Sequence, residues 1–423
     1  MTSRLTNWAG NVTFRAARLH SPTSLTELQD LVGGSPRIRA LGSGHSFNRI
    51  ADSTSDQVTV AALPPMCSVD PDRSTVTVSA GMRYGEFAAQ LHESGYALRN
   101  LGSLPHISVG GAIATGTHGS GTTVGNLATA VRALQLVTAD GVVSEISRDT
   151  HGDEFRGAVV GLGALGVVTR VTLDVVPTFQ LSQWVYEDLP AAALATDLPA
   201  ILASGYSVSL FTDWRSDSIQ QVWRKVLVDP DEPPHAPDRW YGATLADRAR
   251  HPIAGLSGDV CTEQLGVPGP WHLRLPHFRM EFTPSAGKEL QSEYLLPREH
   301  AAAALAALGE IRDRIAPLVQ VSEIRTVAAD QLWLSPSYGR DTVAIHFTWV
   351  PDTAAVGSVL GDIEDRLGPF APRPHWGKLF ATDQQTLAAA YERYADFAAL
   401  MARYDPTGKF GNELLDRWFP SGS

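Results

Sequence analysis

Short apolar runs separated by turn residues predict that the first part of the chain is rich in strands. Apolar residues at helical spacing occupy residues 84–94, and Gly95 directly after them predicts the C-terminal cap of a helix. Gly, Pro and Asp, which typically end strands, stand between the other runs. The three strands predicted in this way cover residues 38–41, 58–63 and 75–80.

A hairpin is predicted around Asp140-Gly141, because this dipeptide favours the tight turn that joins two antiparallel strands. β-Type runs flank the dipeptide at residues 131–137 and 142–146. A further strand is predicted at residues 167–176, and Pro177 ends it.

After Pro177 the β-type segments become longer, and two helical patterns occur among them. The helices are predicted at residues 298–315, which are rich in Ala, and at residues 382–404. The strands are predicted at residues 207–214, 221–227, 319–327 and 343–350.

A chain of 423 residues is long enough for two or three domains. We predict an α+β protein whose first domain covers residues 1–178 and is rich in short strands. The second domain, predicted at residues 179–372, would hold an antiparallel sheet flanked by helices. Residues 373–423 would form a separate C-terminal segment.

The charge balance argues against some classes of partner. Acidic residues outnumber basic ones, 45 to 34, and the formal net charge is -11. Nucleic acids and anionic membranes both attract concentrated positive charge, so neither is expected as a partner. We expect a small-molecule substrate, and a monomer or a small homo-oligomer.

The cysteine content and the N-terminal sequence indicate a cytoplasmic protein. The chain has only two Cys, which predicts free thiols rather than a disulfide framework. Residues 1–14 lack a basic segment followed by an apolar stretch, so no signal peptide is predicted. The longest apolar run, at residues 158–168, is dense in glycine and too short to span a bilayer.

Residues 161–166 match the pattern GxGxxG, but their context argues against a dinucleotide fingerprint. That fingerprint needs a helix directly after the glycines, because the helix N-terminus holds the pyrophosphate. Here an alternating, β-branched run follows at residues 167–176. We therefore predict that the glycines turn a helix into a strand.

Two other Gly-rich segments predict close contact between backbone and ligand. They read ALGSGHS at residues 40–46 and SLPHISVGGAIATGTHGSG at residues 103–121. Glycine lets a backbone approach a ligand closely, and successive turn amides can form an anion-binding concavity. Neither segment contains Lys or Arg, so amide dipoles and hydroxyls would meet phosphate charge. By composition alone, two ordinary tight turns fit equally well.

These segments, together with two later ones, resemble the vanillyl-alcohol-oxidase family of flavoproteins. GSGHS at residues 42–46 and GGAIATGTHG at residues 110–119 are similar to the two FAD-cradling loops of that family. HWGK at residues 375–378 and FGN at residues 410–412 narrow the resemblance to the branch of aldonolactone oxidases and alditol oxidases. NLGSLPHIS at residues 100–108 is most similar to the alditol oxidases.

The resemblance implies a two-subdomain FAD-binding domain of the PCMH type, with FAD joined covalently through its 8α-methyl group to His45. An imidazole is nucleophilic when it is neutral, which suits it for that attachment. His375 would contact the cofactor from the C-terminal segment. The other implied FAD-lining residues are Ala40, Leu41, Gly42, Ser43, Gly44, Ser46, Ser103, Ser108, Gly111, Thr115, Gly116, Thr117, His118 and Val168.

Two of the predicted strands carry polar residues that project from one face. Strand side chains alternate, so Glu323 and Arg325 share a face with the odd-numbered valines of residues 319–327. In the strand at residues 343–350, His346 and Thr348 project from the face opposite its apolar residues. The two strands could line one polar pocket, but the pattern alone slightly favours a solvent-facing sheet with an ion pair.

The resemblance favours the pocket, because it implies substrate contacts from this face and from the HWGK segment. The implied reaction is oxidation of the primary alcohol of an alditol, such as xylitol or sorbitol, with reduction of O2 to hydrogen peroxide. The substrate contacts implied are Ser103, Glu323, Arg325, Thr348 and Lys378.

The residue types also suggest roles within that reaction. Arg325 and Lys378 would stabilise developing alkoxide charge, and either Lys378 or His346 would take the hydroxyl proton. Gly102 occupies the position where a small residue is implied to let O2 reach the flavin. No metal site is predicted.

Three alternatives share parts of these motifs. An aldonolactone oxidase, which acts on a sugar 1,4-lactone, would share His45 and the HWGK segment. An NADPH-dependent flavin reductase would use the same scaffold with non-covalent FAD. A flavin-containing sensor would bind the cofactor without turnover.

Overall fold

The computed structural model describes residues 5–232, 235–282 and 288–420, and within them short strands form three small sheets before residue 178. Three strands form a parallel sheet in the order β1-β3-β2, and five form an antiparallel sheet in the order β4-β5-β9-β7-β8. Strands β6 and β10 pair with each other. These strands are β1 (Arg18–His20), β2 (Ile38–Ala40), β3 (Asp56–Val58), β4 (Cys67–Asp70), β5 (Thr75–Ser79), β6 (Tyr96–Ala97), β7 (Val131–Val137), β8 (Val143–Ser147), β9 (Val167–Asp174) and β10 (Val176–Pro177).

A large antiparallel sheet follows, and all its strands lie between Gln180 and Pro374. Its order is β14-β15-β11-β13-β12-β18-β19-β17-β20, with β16 paired to β11. The strands are β11 (Gln180–Leu189), β12 (Ser207–Thr212), β13 (Ile219–Leu227), β14 (Arg239–Trp240), β15 (Ala243–Leu245), β16 (Gly269–Pro270), β17 (Leu290–Pro297), β18 (Val319–Val327), β19 (Thr342–Trp349) and β20 (Arg373–Pro374).

Helices cover one face of the large sheet and pack around the small ones. They are α1 (Leu25–Gly34), α2 (Tyr84–Glu93), α3 (Val109–Ala114), α4 (Arg148–Val159), α5 (Ala191–Leu202), α6 (Ala301–Gly309), α7 (Arg312–Ile315), α8 (Thr353–Leu367), α9 (Gln384–Ala390), α10 (Tyr394–Tyr404) and α11 (Glu413–Trp418). The α+β prediction is therefore confirmed, as are the hairpin β7-β8 and the helix α2, after which Gly95 has φ +86°.

Two large apolar cores hold most of the buried apolar side chains of the described residues. Helices α5, α6 and α8 bury one face of the large sheet, including the predicted apolar side of β19. Strands β5, β7 and β9 pack with α2 and α4 in the other core, which the C-terminal helices α10 and α11 complete. The opposite face of the large sheet remains free of these helices, and its polar side chains lie along an internal cavity.

The strand predicted at residues 58–63 is wrong beyond its first residue. Strand β3 ends at Val58, and the chain then turns, with the amide of Leu63 donating to the carbonyl oxygen of Val60. Two prolines follow, Pro64 and Pro65, which have no N–H to give to a sheet.

Two predicted helices are each broken into shorter segments. Residues 298–315 form a 3-10 turn, α6 and α7, because α6 ends at Gly309, a residue with low helix propensity. Residues 382–404 form α9 and α10, with extended backbone at Tyr391 between them. There the carbonyl of Ala390 accepts a hydrogen bond from Arg373, whose guanidinium also lies over the Tyr391 ring. These tertiary contacts replace a turn of helix.

Three further features concern the described residues only. Cys67 and Cys261 are free thiols, as predicted. No helix there is long and apolar enough to cross a membrane. No group of three or more His, Cys, Asp or Glu residues in that part of the chain is placed to hold a metal ion.

Candidate active site

A cavity of about 360 Å³ lies between the Gly-rich segments and the polar face of the large sheet. One end, here called the cradle, is lined by residues 40–46 and 108–118, with further contributions from the turn before β9. The other end, here called the charged end, is lined by side chains of β17, β18, β19 and the HWGK segment. The two ends are built from different chemical groups.

The two loops of the cradle are held together by a reciprocal pair of hydrogen bonds. The amide of Ser43 donates to Ser108 Oγ at 3.2 Å, and the amide of Ser108 donates to Ser43 Oγ at 3.1 Å. Gly42 lies at this contact, where a Cβ would stand 2.4 Å from Ser108 Oγ. Only glycine fits there without a shift, so the loop spacing depends on Gly42.

A buried arginine supports the cradle from behind. Arg39 donates to the carbonyl oxygens of Ile50, Leu162, Gly163 and Phe410, with no carboxylate among its described hydrogen-bond partners. Burial lowers the pKa of Arg39 to about 10. The guanidinium therefore joins strand β2 to three other parts of the chain.

The GxGxxG segment is a turn from helix α4 into strand β9, as predicted. It nevertheless lines the cradle through Leu162, Gly163 and Gly166. Besides the buried Arg39, the exposed Arg83 lines the cavity and adds a second cation that the two loops themselves lack. Phosphate charge at this end would therefore meet Arg83 as well as backbone amides and hydroxyls.

His45 presents an unpaired ring nitrogen in the cradle. The ring stacks on Trp8 with the centroids 5.2 Å apart, and Nδ1 lies 3.0 Å from Ser43 Oγ. Nε2 is shielded from solvent and has no hydrogen-bond partner among the described residues. Burial lowers the pKa of His45 to about 4, so the imidazole is neutral at physiological pH. A neutral imidazole with an unpaired nitrogen is a nucleophile available to a ligand.

Three acidic and basic side chains stand in a row across the charged end, because three adjacent strands align them. Strand β19 lies between β17 and β18. Its His346 stands directly opposite Glu293 on β17 and Glu323 on β18. All three are buried, so the alternative of a solvent-facing sheet surface is wrong. Arg325 and Thr348 lie on the same polar side and are buried too.

Val319 faces the helical core instead, because a bulge between Val319 and Val321 reverses the alternation.

Glu293 joins the two cations of the charged end. Its Oε1 accepts from Arg325 Nη2 and its Oε2 accepts from Lys378 Nζ, both at 2.6 Å. His118 Nε2 lies 3.4 Å from Oε1. Burial opposes the charge of Glu293, but Lys378, His118 and Arg325 together hold the pKa of this carboxyl well below its usual range. A buried carboxylate that bridges two cations fixes their positions.

Lys378 and His346 form a second pair with a defined proton arrangement. Lys378 Nζ lies 2.9 Å from His346 Nδ1, and His346 Nε2 lies 3.1 Å from Thr348 Oγ1. Burial lowers the pKa of Lys378 below its ordinary value and the pKa of His346 well below its own. The imidazole is therefore neutral, and a charged Lys378 donates to its Nδ1.

Asn48 positions Lys378 by tying the HWGK segment to the cradle. Its side-chain amide donates to the carbonyl oxygens of Trp376 and Lys378, both at 2.8 Å.

Within the same segment, His375 lines the cavity and its Nδ1 accepts from the amide of Gly377. Asn412, from the FGN motif, donates to three carbonyl oxygens in residues 49–52.

Glu323 is the second carboxylate of the charged end. Its Oε1 lies 2.7 Å from His277 Nε2, and its Oε2 lies 3.6 Å from Arg325 Nε. Burial opposes its charge, but Arg325 and His277 hold the pKa of the Glu323 carboxyl below its usual range. Arg325 also reaches Ser103 Oγ, at 3.3 Å from Nη1. The carboxylate and the guanidinium thus offer an acceptor and a donor side by side.

The structure brings together nearly every residue that the sequence indicated. Gly102 and the implied FAD and substrate contacts line the cavity, with Gly116 as the exception among them. Gly116, with φ +67°, makes the turn between Thr115 and Thr117, which do line it.

Sequence reasoning missed two residues of the charged end, Glu293 and His277. Residues 290–297 read LQSEYLLP, in which three consecutive polar residues precede an apolar run, so the alternation that revealed the other two strands is missing at Glu293. His277 follows a Pro-rich loop without periodicity, and no sequence pattern indicated it.

Comparisons with known proteins agree with this division of the cavity. Residues 17–147 match an FAD-binding domain family, and residues 284–418 match the D-arabinono-1,4-lactone oxidase family. An alditol oxidase from Streptomyces sp. is 53% identical over 418 residues, which cover 98% of this chain and 99% of that protein. An L-gulono-1,4-lactone dehydrogenase from Mycobacterium tuberculosis is 29% identical over 428 residues, with 97% of this chain and 98% of that protein covered.

The fold is also that of a solved cholesterol oxidase structure. A cholesterol oxidase from B. sterolicum superposes with a TM-score of 0.80 and 17% identity, covering 99% of this chain and 96% of that chain. A PCMH-type cradle facing a charged pocket on an antiparallel sheet defines an FAD-dependent oxidoreductase. Because the chain is 53% identical to the alditol oxidase over 98% of its length, it belongs to the vanillyl-alcohol-oxidase and aldonolactone-oxidase family of flavoproteins.

Proposed function

We propose that the protein oxidises the primary alcohol of an alditol, of the xylitol or sorbitol class, to the aldose, with reduction of O2 to hydrogen peroxide. The observation that carries the proposal is the alternation of fixed donors and acceptors at the charged end. Glu323 accepts from hydroxyls, while Arg325 and Lys378 donate to them. A polyol offers only hydroxyls, so it needs such matched partners. The 53% identity to an alditol oxidase supports the same substrate class.

FAD would occupy the cradle, with contacts from both loops, Val168 and His375. The unpaired nitrogen of His45 and the tight approach at Gly42 fit a large planar ligand held closely by backbone. When bound, FAD supplies the capacity to take two electrons from an alcohol and pass them to O2. Ser103, next to Gly102, would contact both cofactor and substrate, since it lies where the cradle meets Arg325.

His45 would be joined covalently to the 8α-methyl carbon of the flavin. Its low pKa keeps the ring neutral and nucleophilic, and Trp8 and Ser43 hold the ring in place. Forming the bond replaces one methyl C–H and the imidazole N–H by a C–N bond, releases two protons, and leaves two electrons that O2 removes. A protein so modified cannot lose its cofactor.

The hydroxyl proton would be taken by Lys378 in its neutral amine form, which the lowered pKa of this lysine makes accessible, and the resulting ammonium would donate to His346 Nδ1. Lys378 and Arg325 are placed to hold negative charge on the substrate oxygen, and both are anchored by Glu293. Buried surroundings exclude water, which strengthens these interactions. Thr348 would bind a further hydroxyl beside His346.

Steady-state peroxide production separates this function from its nearest rival, oxidation of a sugar 1,4-lactone. That rival is supported by the match to the D-arabinono-1,4-lactone oxidase family. We expect kcat/KM for xylitol or sorbitol to exceed that for any 1,4-lactone. A preference for the lactone would show that the rival is correct.

The covalent attachment is tested by acid precipitation and by mass spectrometry of the peptide that bears His45. We expect the yellow colour to stay with the precipitated protein and the peptide mass to include FAD. Release of all FAD into the supernatant would reject the attachment and favour the flavin-reductase alternative. The cytoplasmic location and the monomeric or small homo-oligomeric state stay predictions from the sequence.

A further inference from the structure

A buried lysine and a histidine lie directly behind Glu323. Lys225, on strand β13, is 1% exposed, and its Nζ donates to the carbonyl oxygens of Leu275 and Pro276. His277 Nδ1 lies 3.2 Å from the same Nζ. No carboxylate of the described residues forms a salt bridge with this lysine. A buried cation held only by two carbonyls and a histidine is costly, which raises the question of its role.

The contacts of Lys225 determine which nitrogen of His277 carries the proton. An ammonium has three N–H donors and no acceptor, and three acceptors surround this one. While Lys225 is charged, as it is below its pKa of about 7, His277 Nδ1 must therefore be unprotonated. Burial lowers the pKa of His277 to about 4, so the ring is neutral and its single proton is on Nε2. Nε2 then donates to Glu323 Oε1 at 2.7 Å.

We propose that Lys225 and His277 are positioning residues that fix the carboxylate of Glu323 for substrate binding. His277 occupies Oε1, and Oε2 makes no hydrogen bond within the described chain, so Oε2 remains for a substrate hydroxyl. Lys225 acts one step further back by holding His277 in the tautomer that donates. The inference deepens the proposed function and rests on it for the identity of the substrate.

The competing explanation is that Lys225 only anchors the loop at residues 275–277. An anchor would matter for stability, but it would leave the tautomer of His277 undefined. It would also make the effects of substitutions at His277 and Glu323 independent. Two experiments separate the explanations.

The tautomer is measured directly by long-range ¹H–¹⁵N NMR of the FAD-loaded protein labelled with ¹⁵N-histidine, at pH 6. His277→Gln assigns the signal. We expect a neutral ring with the proton on Nε2, and loss of that fixed pattern in Lys225→Met. A proton on Nδ1, or an unchanged signal in Lys225→Met, would overturn the proposal. This measurement needs no turnover, so it remains decisive even if the proposed substrate is wrong.

The coupling is measured by a double-mutant cycle on alditol oxidation. His277→Leu should raise KM about tenfold, with flavin content retained and a smaller change in kcat, because a hydrogen bond to a charged group is lost. His277→Gln, which keeps a donor towards Glu323, should stay within about threefold. In a Glu323→Ala background, His277→Leu should add less than about twofold. Equal effects in both backgrounds would overturn the proposal, whereas an inactive wild type would reject the proposed function instead.

Discussion

The cradle and the charged end of the cavity are made in opposite ways. The cradle consists of glycines, backbone amides and serines from two short segments, with Arg83 at its margin. The charged end holds Glu293, Glu323, Arg325 and Lys378, all buried and brought together from distant parts of the chain. The cradle is therefore shaped by local backbone geometry, and the charged end by strand register and ion pairing.

This difference predicts that the two ends can be damaged separately. A substitution in the cradle should lower the occupancy of FAD, since it changes the fit of backbone to cofactor. A substitution at the charged end should leave the bound flavin in place and lower its reduction by substrate. Variants that lower both together would remove the distinction.

The largest effect is expected for Lys378→Met. This variant removes the cation beside His346 and Glu293, so kcat/KM for an alditol should fall about 10²–10³-fold while the flavin content stays normal. The exposed Lys288 supplies the matched control, and Lys288→Met should keep wild-type kinetics. Normal turnover by Lys378→Met would remove this residue from the proposed mechanism.

Glu293→Gln should have the next largest effect. The amide leaves Arg325 and Lys378 without the buried anion that bridges them, which costs about 3 kcal/mol in the free energy of unfolding and lowers kcat/KM. Thermal unfolding and stopped-flow reduction measure the two consequences. An equally active and equally stable variant would show that Glu293 does not organise the charged end.

Gly42→Ala tests the cradle. The added methyl would stand 2.4 Å from Ser108 Oγ, so the two loops must separate at a cost of about 1–3 kcal/mol. We expect lower FAD occupancy, measured as the ratio of flavin to protein absorbance. The control is Gly34→Ala at the end of α1, where a Cβ meets no atom within 4 Å, and occupancy should not change there.

Gly102→Val tests whether O2 reaches the flavin past this position. A Cβ at Gly102 would lie 3.5 Å from Ile107 Cδ1 and 3.6 Å from Thr117 Cγ2, which leaves room for Ala but little for Val. In stopped-flow experiments, reoxidation by O2 should slow several-fold while reduction by substrate is nearly unchanged. Equal slowing of both steps would contradict a role in O2 access.

The smallest expected effect is a change in how stability depends on pH. Burial lowers the pKa of Lys225 to about 7 from 10.5, so between these values the unfolded chain binds more protons than the folded one. The stability contributed by Lys225 should therefore rise with pH above 7, and the same slope should be missing in Lys225→Met. Unfolding temperatures of both proteins at pH 7 and pH 9 supply the comparison, and parallel changes would refute the lowered pKa.

The cradle was largely predictable from sequence, because its glycines and serines occur in continuous segments whose local conformation they dictate. The polar faces of β18 and β19 were predictable as well, since strand periodicity places alternate side chains together. The pairing of Glu293 with Lys378 was not, because it depends on which strands become neighbours. The break at Tyr391 was hidden for a similar reason, since Arg373, rather than local propensity, ends helix α9.

Anaerobic mixing of the purified, oxidised protein with a single alditol is the most direct test that one cavity joins a flavin to a polyol site. We predict that xylitol or sorbitol bleaches the flavin absorbance, and that air restores it with one equivalent of hydrogen peroxide. A flavin that stays oxidised with every alditol, yet is bleached by a sugar 1,4-lactone, would contradict the proposed function.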